Sequence, residues 1–408
     1  MRIGIFEDNG YLDLQPLTFI RPVFDLRCGM YLLREKIEKQ MTQYPIDYFV
    51  RNSLRDILSE KYQGKKINHL FDDDYLFLNG RVLFNADFYT NFTPPPRSML
   101  FKTEETVAAA FITKSDLVNF KTDMNGLLCF DSIPEKRDAS GELKLLTYSW
   151  NFIHENGNEI SRDFSMTTKG LKKTNQLRSG VHIVHPENVH ISESAQIDPG
   201  VVIIAEDGPV YIDEEAHILP QATIIGPAYV GKKSLIKIGA KIYEGTSIGE
   251  VCKVGGEVEE SIIHSYSNKQ HDGFLGHAYL GQWVNLGADT NNSDLKNNYG
   301  SVRVYVNGKE IDSGSTFVGL TMGDHSKSGI NTMFNTGTTV GIMCNVYGSD
   351  FPPKWIPSFS WGGSAGFVEH KIDKAIALAK KVMGRRKVDL SVSEEKLIRL
   401  IFEQTRKE

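Results

Sequence analysis

Two histidines, His271 and His277, are the side chains in this sequence best suited to proton transfer or metal binding. A histidine titrates near physiological pH, and its neutral ring is a common zinc ligand, so both kinds of chemistry are open to it. His277 lies six positions after His271, and six residues is also the period of the repeat around them. From this spacing we expect both to stand at one corner of neighbouring coils. The alternative is that they only pack there.

A six-residue repeat in the second half of the chain is the element that must position these histidines. A helix would repeat near every 3.6 residues and a half-buried strand every second residue, so a period of six indicates a parallel β-helix. Each hexapeptide then forms one flat face of a coil, with its aliphatic side chain stacked inside. The regular aliphatic series is Ile212, Ile218, Ile224, Val230, Ile236, Ile242, Ile248 and Val254.

The repeat begins near Ile191, and its phase slips at Gly255-Gly256. An insertion over residues 289–316 interrupts it, and the run closes between Met322 and Val346. Insertions leave a solenoid as loops on one face, often the binding face, so we expect chemistry near the slip and the inserted loop. After the slip, the expected inward series is Ile262, Asn268, Phe274, Leu280 and Leu286.

The first part of the chain lacks the repeat and is predicted to form a separate α/β domain. Apolar strands over residues 2–6, 48–50 and 75–78 alternate with helical segments, which predicts a parallel sheet. A further helix is predicted over residues 103–117. Two C-terminal helices are predicted to cap the solenoid, because solenoids need polar caps. The predicted boundaries are 1–165 for the α/β domain, 166–180 for a linker, 181–350 for the solenoid and 351–408 for the cap.

The composition argues against several classes of function. The net charge of −5 and the lack of a basic block argue against a general nucleic-acid-binding protein. No apolar run approaches the roughly 18 residues of a membrane helix, so we expect no membrane span. Acidic residues interrupt the apolar segment at the start of the sequence, so we expect no signal peptide. The four cysteines are scattered without a Cys-x-x-Cys pair. This pattern favours reduced thiols in a cytoplasmic protein over a cysteine-based metal site.

Part of the solenoid resembles a known family. Residues 268–276 (Asn-Lys-Gln-His-Asp-Gly-Phe-Leu-Gly) and 284–290 (Val-Asn-Leu-Gly-Ala-Asp-Thr) are similar to an acetyltransferase signature. It is that of the bifunctional N-acetylglucosamine-1-phosphate uridylyltransferases and glucosamine-1-phosphate acetyltransferases. The resemblance is to a divergent branch with a shortened, Rossmann-like nucleotidyltransferase domain. It implies a left-handed parallel β-helix and a homotrimer, with the acetyl-transfer site between adjacent solenoids.

By this resemblance His271 is the general base. An amine attacks a thioester only after it has lost its proton, so the reaction needs a group that accepts that proton. Gly287 and Ala288 match the turn whose backbone contacts coenzyme A in the family. Acetyl-coenzyme A is therefore the implied co-substrate.

The resemblance also implies ligands for an amino-sugar 1-phosphate. Lys237 stands where the family has a phosphate-binding arginine, and lysine supplies the charge without the bidentate fork. The asparagine–tyrosine pair around the amino sugar matches Asn298 and Tyr299, but extra residues before them leave Asn291 or Asn292 as alternatives. A second phosphate-binding lysine is missing, so Lys253 or Lys269 is expected to replace it.

The N-terminal domain departs further from the family. Residues 16–22 (Pro-Leu-Thr-Phe-Ile-Arg-Pro) match the end of a nucleotidyltransferase signature, but the glycine-rich loop that would cradle phosphates is missing. Arg81 replaces the metal-binding aspartate, and an arginine does not hold magnesium. A nucleoside triphosphate and Mg²⁺ are therefore implied only if this domain is active. The nucleotide-binding candidates are Arg21, Arg27, Asn79, Gly80 and Arg81; the alternative is that the arginines are ordinary turn residues.

The sequence thus predicts acetyl transfer from acetyl-coenzyme A to the amine of an amino-sugar 1-phosphate, with no metal required. One alternative is a sugar-1-phosphate nucleotidyltransferase whose solenoid serves only trimerisation or regulation. Another is a zinc-dependent carbonic anhydrase, with His271, His277 and His325 as ligands. Residues 72–74, three aspartates before a strand, would be a metal site or, more simply, a solvated turn.

Overall fold

The computed structural model describes residues 1–118, 120–139, 143–170 and 178–406. A six-stranded mixed sheet forms the centre of the N-terminal part. Arg2–Phe6 pairs in parallel with both of its neighbours, whereas Thr106–Ile112 runs antiparallel to the strands on either side. The strands in spatial order are Lys136–Asp138, Met99–Thr103, Thr106–Ile112, Tyr75–Asn79, Arg2–Phe6 and Ile46–Phe49.

Thr106–Ile112 lies in the segment predicted as a helix over residues 103–117, and that prediction is wrong. Residues 108–112 are buried in the sheet. A short apolar run is typical of both a buried strand and a buried helix, so its periodicity does not distinguish the two. Shorter strands pair outside the main sheet: Arg27–Cys28 with Tyr31–Leu32, Val82–Phe84 with Leu143–Leu145, and Lys121–Thr122 with Leu128–Cys129. The helices are α1 (Leu33–Gln40), α2 (Arg55–Lys61), α3 (Ala86–Asn91), α4 (Lys114–Leu117) and α5 (Ser149–Thr168). The predicted linker overlaps the end of α5, and its residues 171–177 lie outside the described residues.

The second half of the chain is a parallel β-helix with three faces per coil, as the repeat predicts. The strands of the first face are His182–Val184, Val202–Ile204, Thr223–Ile225, Lys241–Ile242, Glu257–Glu259 and Phe274–Gly276. Those of the second face are Val189–Ile191, Val210–Ile212, Ala228–Val230, Thr246–Ile248, Ile262–Ile263, Tyr279–Leu280, Thr321–Met322, Thr339–Val340 and Trp355–Ile356. Those of the third face are Gln196–Ile197, His217–Ile218, Leu235–Ile236, Lys253–Val254 and Asn268–Lys269.

Further strands extend the solenoid at the start of the inserted loop and after it. They are Asn291–Asn292 with Met333–Phe334, and Lys327–Ser328 with Asn345–Val346, Ser360–Gly363 and Gly366–Glu369. The inserted loop itself forms a hairpin of Arg303–Val306 and Lys309–Asp312. Its valines pack with Trp150 of α5, so the insertion is anchored on the N-terminal part.

The inward series after the phase slip differs from the predicted one by a residue. Ile263, Lys269 and Leu275 stand in register with the aliphatic columns, in place of the predicted Ile262, Asn268 and Phe274. Gly255 and Gly256 close their turn in fewer residues than a regular corner, and Gly256 has a φ of +69°. Val258 therefore already points inward, which shifts the following strands.

The C-terminal helices α6 (Ile372–Gly384) and α7 (Val392–Thr405) form the predicted cap. Their apolar side chains share a buried cluster with Met343 and Phe359 of the last coils and with residues of the N-terminal sheet. The cap therefore also ties the two halves together. Across the described part of the chain, a search for helices with the length and apolar character of a bilayer-spanning segment found none.

Candidate functional site

One corner of the solenoid brings together four of the predicted acetyltransferase residues: Lys237, His271, Gly287 and Ala288. We call it the third corner: the turns that connect the third face of one coil to the first face of the next. Backbone hydrogen bonds stack these turns, from Asp289 N to Asp272 O (3.1 Å) and from Asn331 N to Ala288 O (2.8 Å). The turns comprise residues 237–239, 255–256, 270–273, 287–290 and 329–331. Lys237, His271 and Ala288 thus occupy one edge of the molecule.

His271 is exposed at this corner, and its ring has no hydrogen bond or ion pair within the described residues. Its backbone carbonyl, in contrast, is held by Lys269, whose Nζ donates to it at 2.6 Å. The arrangement leaves the imidazole free to meet a substrate while the main chain beneath it is fixed.

Lys269 itself is buried inside the coil, with 2% of its surface exposed. It stands in the column of inward residues, in register with Val254. Burial lowers the pKa of Lys269 to about 8, although the carboxylates of Asp272 and Asp289 act in the opposite direction. A phosphate ligand binds from solvent, whereas the Lys269 side chain lies inside the coil. This position corrects the prediction that Lys269 contacts the sugar phosphate. The Lys269 side chain instead binds the backbone of His271.

The Gly287-Ala288 turn offers a backbone donor next to His271. Gly287 packs so closely on the following coil that a Cβ there would lie 2.4 Å from Gly329 O. The backbone N–H groups of Ala288 and His271 donate to no acceptor in the parts of the chain that the structure describes. Two unused N–H groups at one corner are suited to a carbonyl or phosphate oxygen.

The asparagine candidates divide into three cases. Asn291 is exposed beside the corner, where its Oδ1 accepts from Phe274 N at 2.8 Å. Asn292 is buried and forms hydrogen bonds to the backbone of Gly276, so it serves the fold. Asn298 and Tyr299 are exposed in the inserted loop, and among the described residues no hydrogen bond or ion pair joins them to His271. Asn291 is therefore the asparagine that the fold brings to the corner.

The three histidines of the zinc alternative lie on three different corners. His271 is at the third corner, whereas His277 follows the first face and His325 follows the second. Each histidine lies in a different turn, because six residues along the chain lead to the next face of the same coil and not to the same corner of the next coil. His277 Nδ1 is 2.9 Å from Asp294 Oδ2, and both ring nitrogens of His325 are buried against Trp283 without a hydrogen-bond partner. The expected stacking of His271 and His277 at one corner is therefore wrong.

Two of the arginines predicted to bind nucleotide are used instead where the N-terminal domain packs on the solenoid. Arg21 Nη2 lies 2.8 Å from Asp324 Oδ1, and Arg27 Nη2 lies 2.7 Å from Glu250 Oε1. Both guanidinium groups are buried. Burial raises the pKa of Asp324, and the Arg21 charge opposes that rise. The prediction that Arg21 and Arg27 bind nucleotide is therefore corrected, because both charges already have carboxylate partners in the other half of the chain.

Arg81 fills the place where the nucleotidyltransferase resemblance implies a metal site. It forms a two-pronged ion pair with Asp8, at 2.7 and 2.9 Å. Asn79 is fully buried and donates to Asp8 Oδ2 at 2.9 Å. Gly80 is required by packing, since a Cβ there would lie 2.6 Å from Phe24 Cβ. Because the Asp8 carboxylate is bound to a guanidinium, this set of residues does not fit Mg²⁺.

The three aspartates at residues 72–74 are satisfied locally. Asp72 pairs with Lys114 Nζ, Asp73 pairs with the N-terminal amine, and Asp74 accepts from the backbone of Lys114. Across the described residues, no group of three or more His, Cys, Asp or Glu side chains is arranged to hold a metal ion.

The sequence reasoning missed one contributor to this region. The connection between α6 and α7 crosses the third face and places Arg386 Nη2 3.1 Å from Asn268 Oδ1. The run Arg385-Arg386-Lys387 was the available signal, but nothing in the sequence indicates which surface it meets.

Comparison with known proteins bears on both halves of the chain. A family model described as sugar nucleotidyl transferase matches residues 3–172. The bifunctional sugar-1-phosphate nucleotidylyltransferase/acetyltransferase of Sulfurisphaera tokodaii is 34% identical over 167 residues, which are 41% of this chain and 40% of that protein. The bifunctional protein GlmU of Synechococcus elongatus is 30% identical over 183 residues, 40% of this chain and 37% of that protein.

A longer match extends through both halves. The bifunctional protein GlmU of Methanocaldococcus jannaschii is 25% identical over 376 residues, which cover 80% of this chain and 84% of that protein. These matches confirm the resemblance to bifunctional sugar-phosphate nucleotidyltransferase/acetyltransferases, and the named relatives are transferases. The matched segments span only about two fifths of the first two relatives.

Proposed function

We propose that the solenoid transfers an acetyl group from acetyl-coenzyme A to the amine of an amino-sugar 1-phosphate. The observation that carries the proposal is the third corner, where an exposed His271 stands between the Lys237 turn and the Gly287-Ala288 turn. The names of the relatives, which include acetyltransferases, point to the same reaction.

In the proposed step, the amine nitrogen forms a bond to the thioester carbonyl carbon, and the carbon–sulfur bond breaks. His271 accepts the proton that the amine loses and returns it to the leaving sulfur, so coenzyme A departs as its thiol and the base is restored. The free N–H groups of Ala288 and His271 would donate hydrogen bonds to the developing oxyanion. Lys237 supplies positive charge for the phosphate, and Asn291 a side-chain amide for the sugar.

The proposed site is open to solvent on this chain, since His271 and Ile238 are exposed at the corner. A homotrimer that places the corner against a neighbouring solenoid would enclose it. We propose this assembly from the family resemblance. The four cysteines are free thiols, which fits the proposed cytoplasmic location.

The second candidate is sugar-1-phosphate nucleotidyl transfer by the N-terminal domain, which the match to residues 3–172 favours. The Arg81–Asp8 pair argues against it, because the Asp8 carboxylate is already bound to a guanidinium and is not free for a metal. We therefore place acetyl transfer first.

The deciding experiment mixes the purified protein with acetyl-coenzyme A and glucosamine 1-phosphate and follows the release of free thiol. We expect release that depends on the acceptor and does not occur with the N-acetylated acceptor. A parallel reaction with uridine triphosphate and a sugar 1-phosphate, followed by pyrophosphate release, tests the second candidate. If no thiol were released with glucosamine 1-phosphate or other amino-sugar phosphates, that result would overturn the proposal and favour a role in assembly.

A further inference from the structure

We propose that Arg385 and Arg386, in the connection between α6 and α7, combine with Lys237 and Lys253 of the solenoid to form one binding site for a phosphoryl group. The C-terminal cap would then contribute directly to substrate binding. The identity of the phosphorylated molecule rests on the proposed function, whereas the site itself rests on the geometry described next.

The two lysines stand on adjacent coils, offset by two positions, and the charge of Lys237 acts on Lys253. Lys253 and Asn268 are direct neighbours on adjacent parallel strands, which lie about 4.8 Å apart. Lys237 donates its backbone N–H to Val254 O at 2.8 Å; because Leu235 is the direct neighbour of Lys253, Lys237 stands two positions further along the adjacent chain, opposite Gly255. A Cβ at Gly255 would lie 2.9 Å from Lys237 Cβ, so the glycine leaves room above the lysine side chain.

The arginines arrive from a fixed turn and not from a loose tail. Arg386 N donates to Met383 O at 2.8 Å, and Lys387 N donates to Gly384 O at 3.0 Å, which closes the end of α6. The guanidinium of Arg386 then donates to Asn268 Oδ1 at 3.1 Å. Since Asn268 neighbours Lys253, the turn holds its charge next to the two lysines.

These four cations lack counter-charges. None of Lys237, Lys253, Arg385 and Arg386 forms an ion pair within the described residues, whereas Lys380 and Arg399 on the same two helices both pair with Glu395. Burial lowers the pKa of Lys253, and the positive charges of Arg386, Lys237 and Arg385 lower it further. Like charges held together cost free energy, which a bound phosphate dianion would recover.

The site adjoins the proposed catalytic corner. Asn268 precedes His271 by three residues, and Gly255 packs against the Gln270 carbonyl of the same turn. Both substrates of the proposed reaction carry phosphoryl groups: the amino-sugar 1-phosphate and acetyl-coenzyme A. The shared chemistry is a phosphate at a cluster of lysine and arginine side chains.

The test measures binding by calorimetry, without turnover, for glucosamine 1-phosphate, coenzyme A, 3′-dephospho-coenzyme A and inorganic pyrophosphate. The variant is Arg386→Gln, which removes the charge and keeps a hydrogen-bond donor for Asn268. Arg386→Lys keeps the charge, and Arg399→Gln is the matched control, because it removes one arginine charge from α7 away from the cluster. Thermal unfolding of each variant checks that it is folded.

We expect Arg386→Gln to weaken at least one phosphate ligand by about tenfold. We also expect Arg386→Lys to restore most of that affinity and Arg399→Gln to match the wild type. A loss confined to glucosamine 1-phosphate assigns the site to the sugar phosphate. A loss for coenzyme A that is absent for the 3′-dephospho form assigns it to the 3′-phosphate.

Equal affinity of Arg386→Gln and the wild type for every ligand would overturn the site, as would the absence of phosphate binding by the wild type. Failure of the proposed function is distinguishable. In that case no thiol would be released, whereas Arg386→Gln would still weaken the binding of phosphate ligands.

Discussion

The N-terminal domain and the solenoid corner both carry basic residues where a phosphate site is predicted, but the two regions differ in how those charges are paired. In the N-terminal domain, Arg21, Arg27 and Arg81 each face a carboxylate at 2.7–2.8 Å. At the corner and on the adjoining third face, Lys237 and Lys253 form no ion pair among the described residues, and the cap adds two more cations, Arg385 and Arg386. Residue type alone therefore does not distinguish a structural arginine from a ligand-binding one.

The comparison teaches that the counter-charge decides the role. A buried arginine left alone would be very costly, so a carboxylate partner makes Arg21 and Arg27 usable for packing the domains together. A partly exposed lysine without a partner can tolerate its charge in water and remains available for a ligand. The predictions below challenge this contrast, starting with the largest expected effect.

Removal of the proposed base, His271, should have the largest effect. We expect His271→Ala to lose about 10² to 10⁴ of the acetyl-transfer rate, because a positioned acid–base group contributes that much. The measurement is the rate of thiol release with saturating acetyl-coenzyme A. His182→Ala, which removes an exposed histidine from the first coil, is the matched control and should keep the full rate. A folded His271→Ala protein with an unchanged rate would refute the assignment.

Removal of one partner of a buried pair should affect stability next most strongly. We expect Arg21→Met to lower the free energy of unfolding by about 3–5 kcal/mol, because it leaves Asp324 buried without its cation. Urea unfolding at neutral pH measures this. The double variant Arg21→Met with Asp324→Leu should recover much of the loss. If Arg21→Met is as stable as the wild type, the pair does not hold the two halves together.

Lys269 tests whether the buried cation serves the corner or only the fold. We expect Lys269→Met to lower kcat about tenfold with a smaller change in KM, because the main chain under His271 loses its donor. The pKa of Lys269 is about 8 in the fold, below the usual value of about 10.4, so folding disfavours its charged form. Stability of the wild type should therefore rise as pH increases from about 8 to about 10.4.

Lys269→Met should show a smaller rise, because Lys327, whose pKa burial also lowers to about 8, still contributes its part. Urea unfolding at about pH 7 and about pH 9.5 would detect this difference between the two proteins. Val254→Ala, which shortens the neighbouring residue of the same column, controls for loss of packing alone. A parallel pH dependence in wild type and Lys269→Met would contradict the buried-lysine assignment.

The smallest effect is expected at the N-terminal candidate site. Since Arg81 is already paired with Asp8, we expect Arg81→Ala to leave nucleoside-triphosphate binding as it is in the wild type, where we expect none. Calorimetry with uridine triphosphate and Mg²⁺ is the measurement. Saturable binding that Arg81→Ala abolishes would reverse the comparison and make the N-terminal domain a working nucleotide site.

Much of the fold was predictable from the sequence. The repeat at Ile212 to Val254 predicts the solenoid, because each coil must place a similar side chain on the one before it. The prediction was off by one residue after Gly255-Gly256, where a tight turn changed the phase. It failed at Thr106–Ile112, where a short apolar run has no period that separates strand from helix.

The candidate site was predictable only in part. His271, Gly287 and Ala288 carry a local motif, and the structure places all three at one corner. Lys269 shares that motif, yet its side chain points inward, which depends on the shifted phase of the coil. Arg386 could not be placed at all, because its neighbour Asn268 is 118 residues away in the sequence.

The sequence by itself determined the coil, its inserted loop and the residues of the acetyltransferase motif, since all of these are local patterns that repeat or match within a few residues. Only the tertiary structure decided which charges are neutralised. Arg27 meets Glu250 across 223 residues, and Arg21 meets Asp324 across 303 residues. Whether a carboxylate stands beside an arginine depends on how two distant surfaces pack, and no short stretch of sequence contains both.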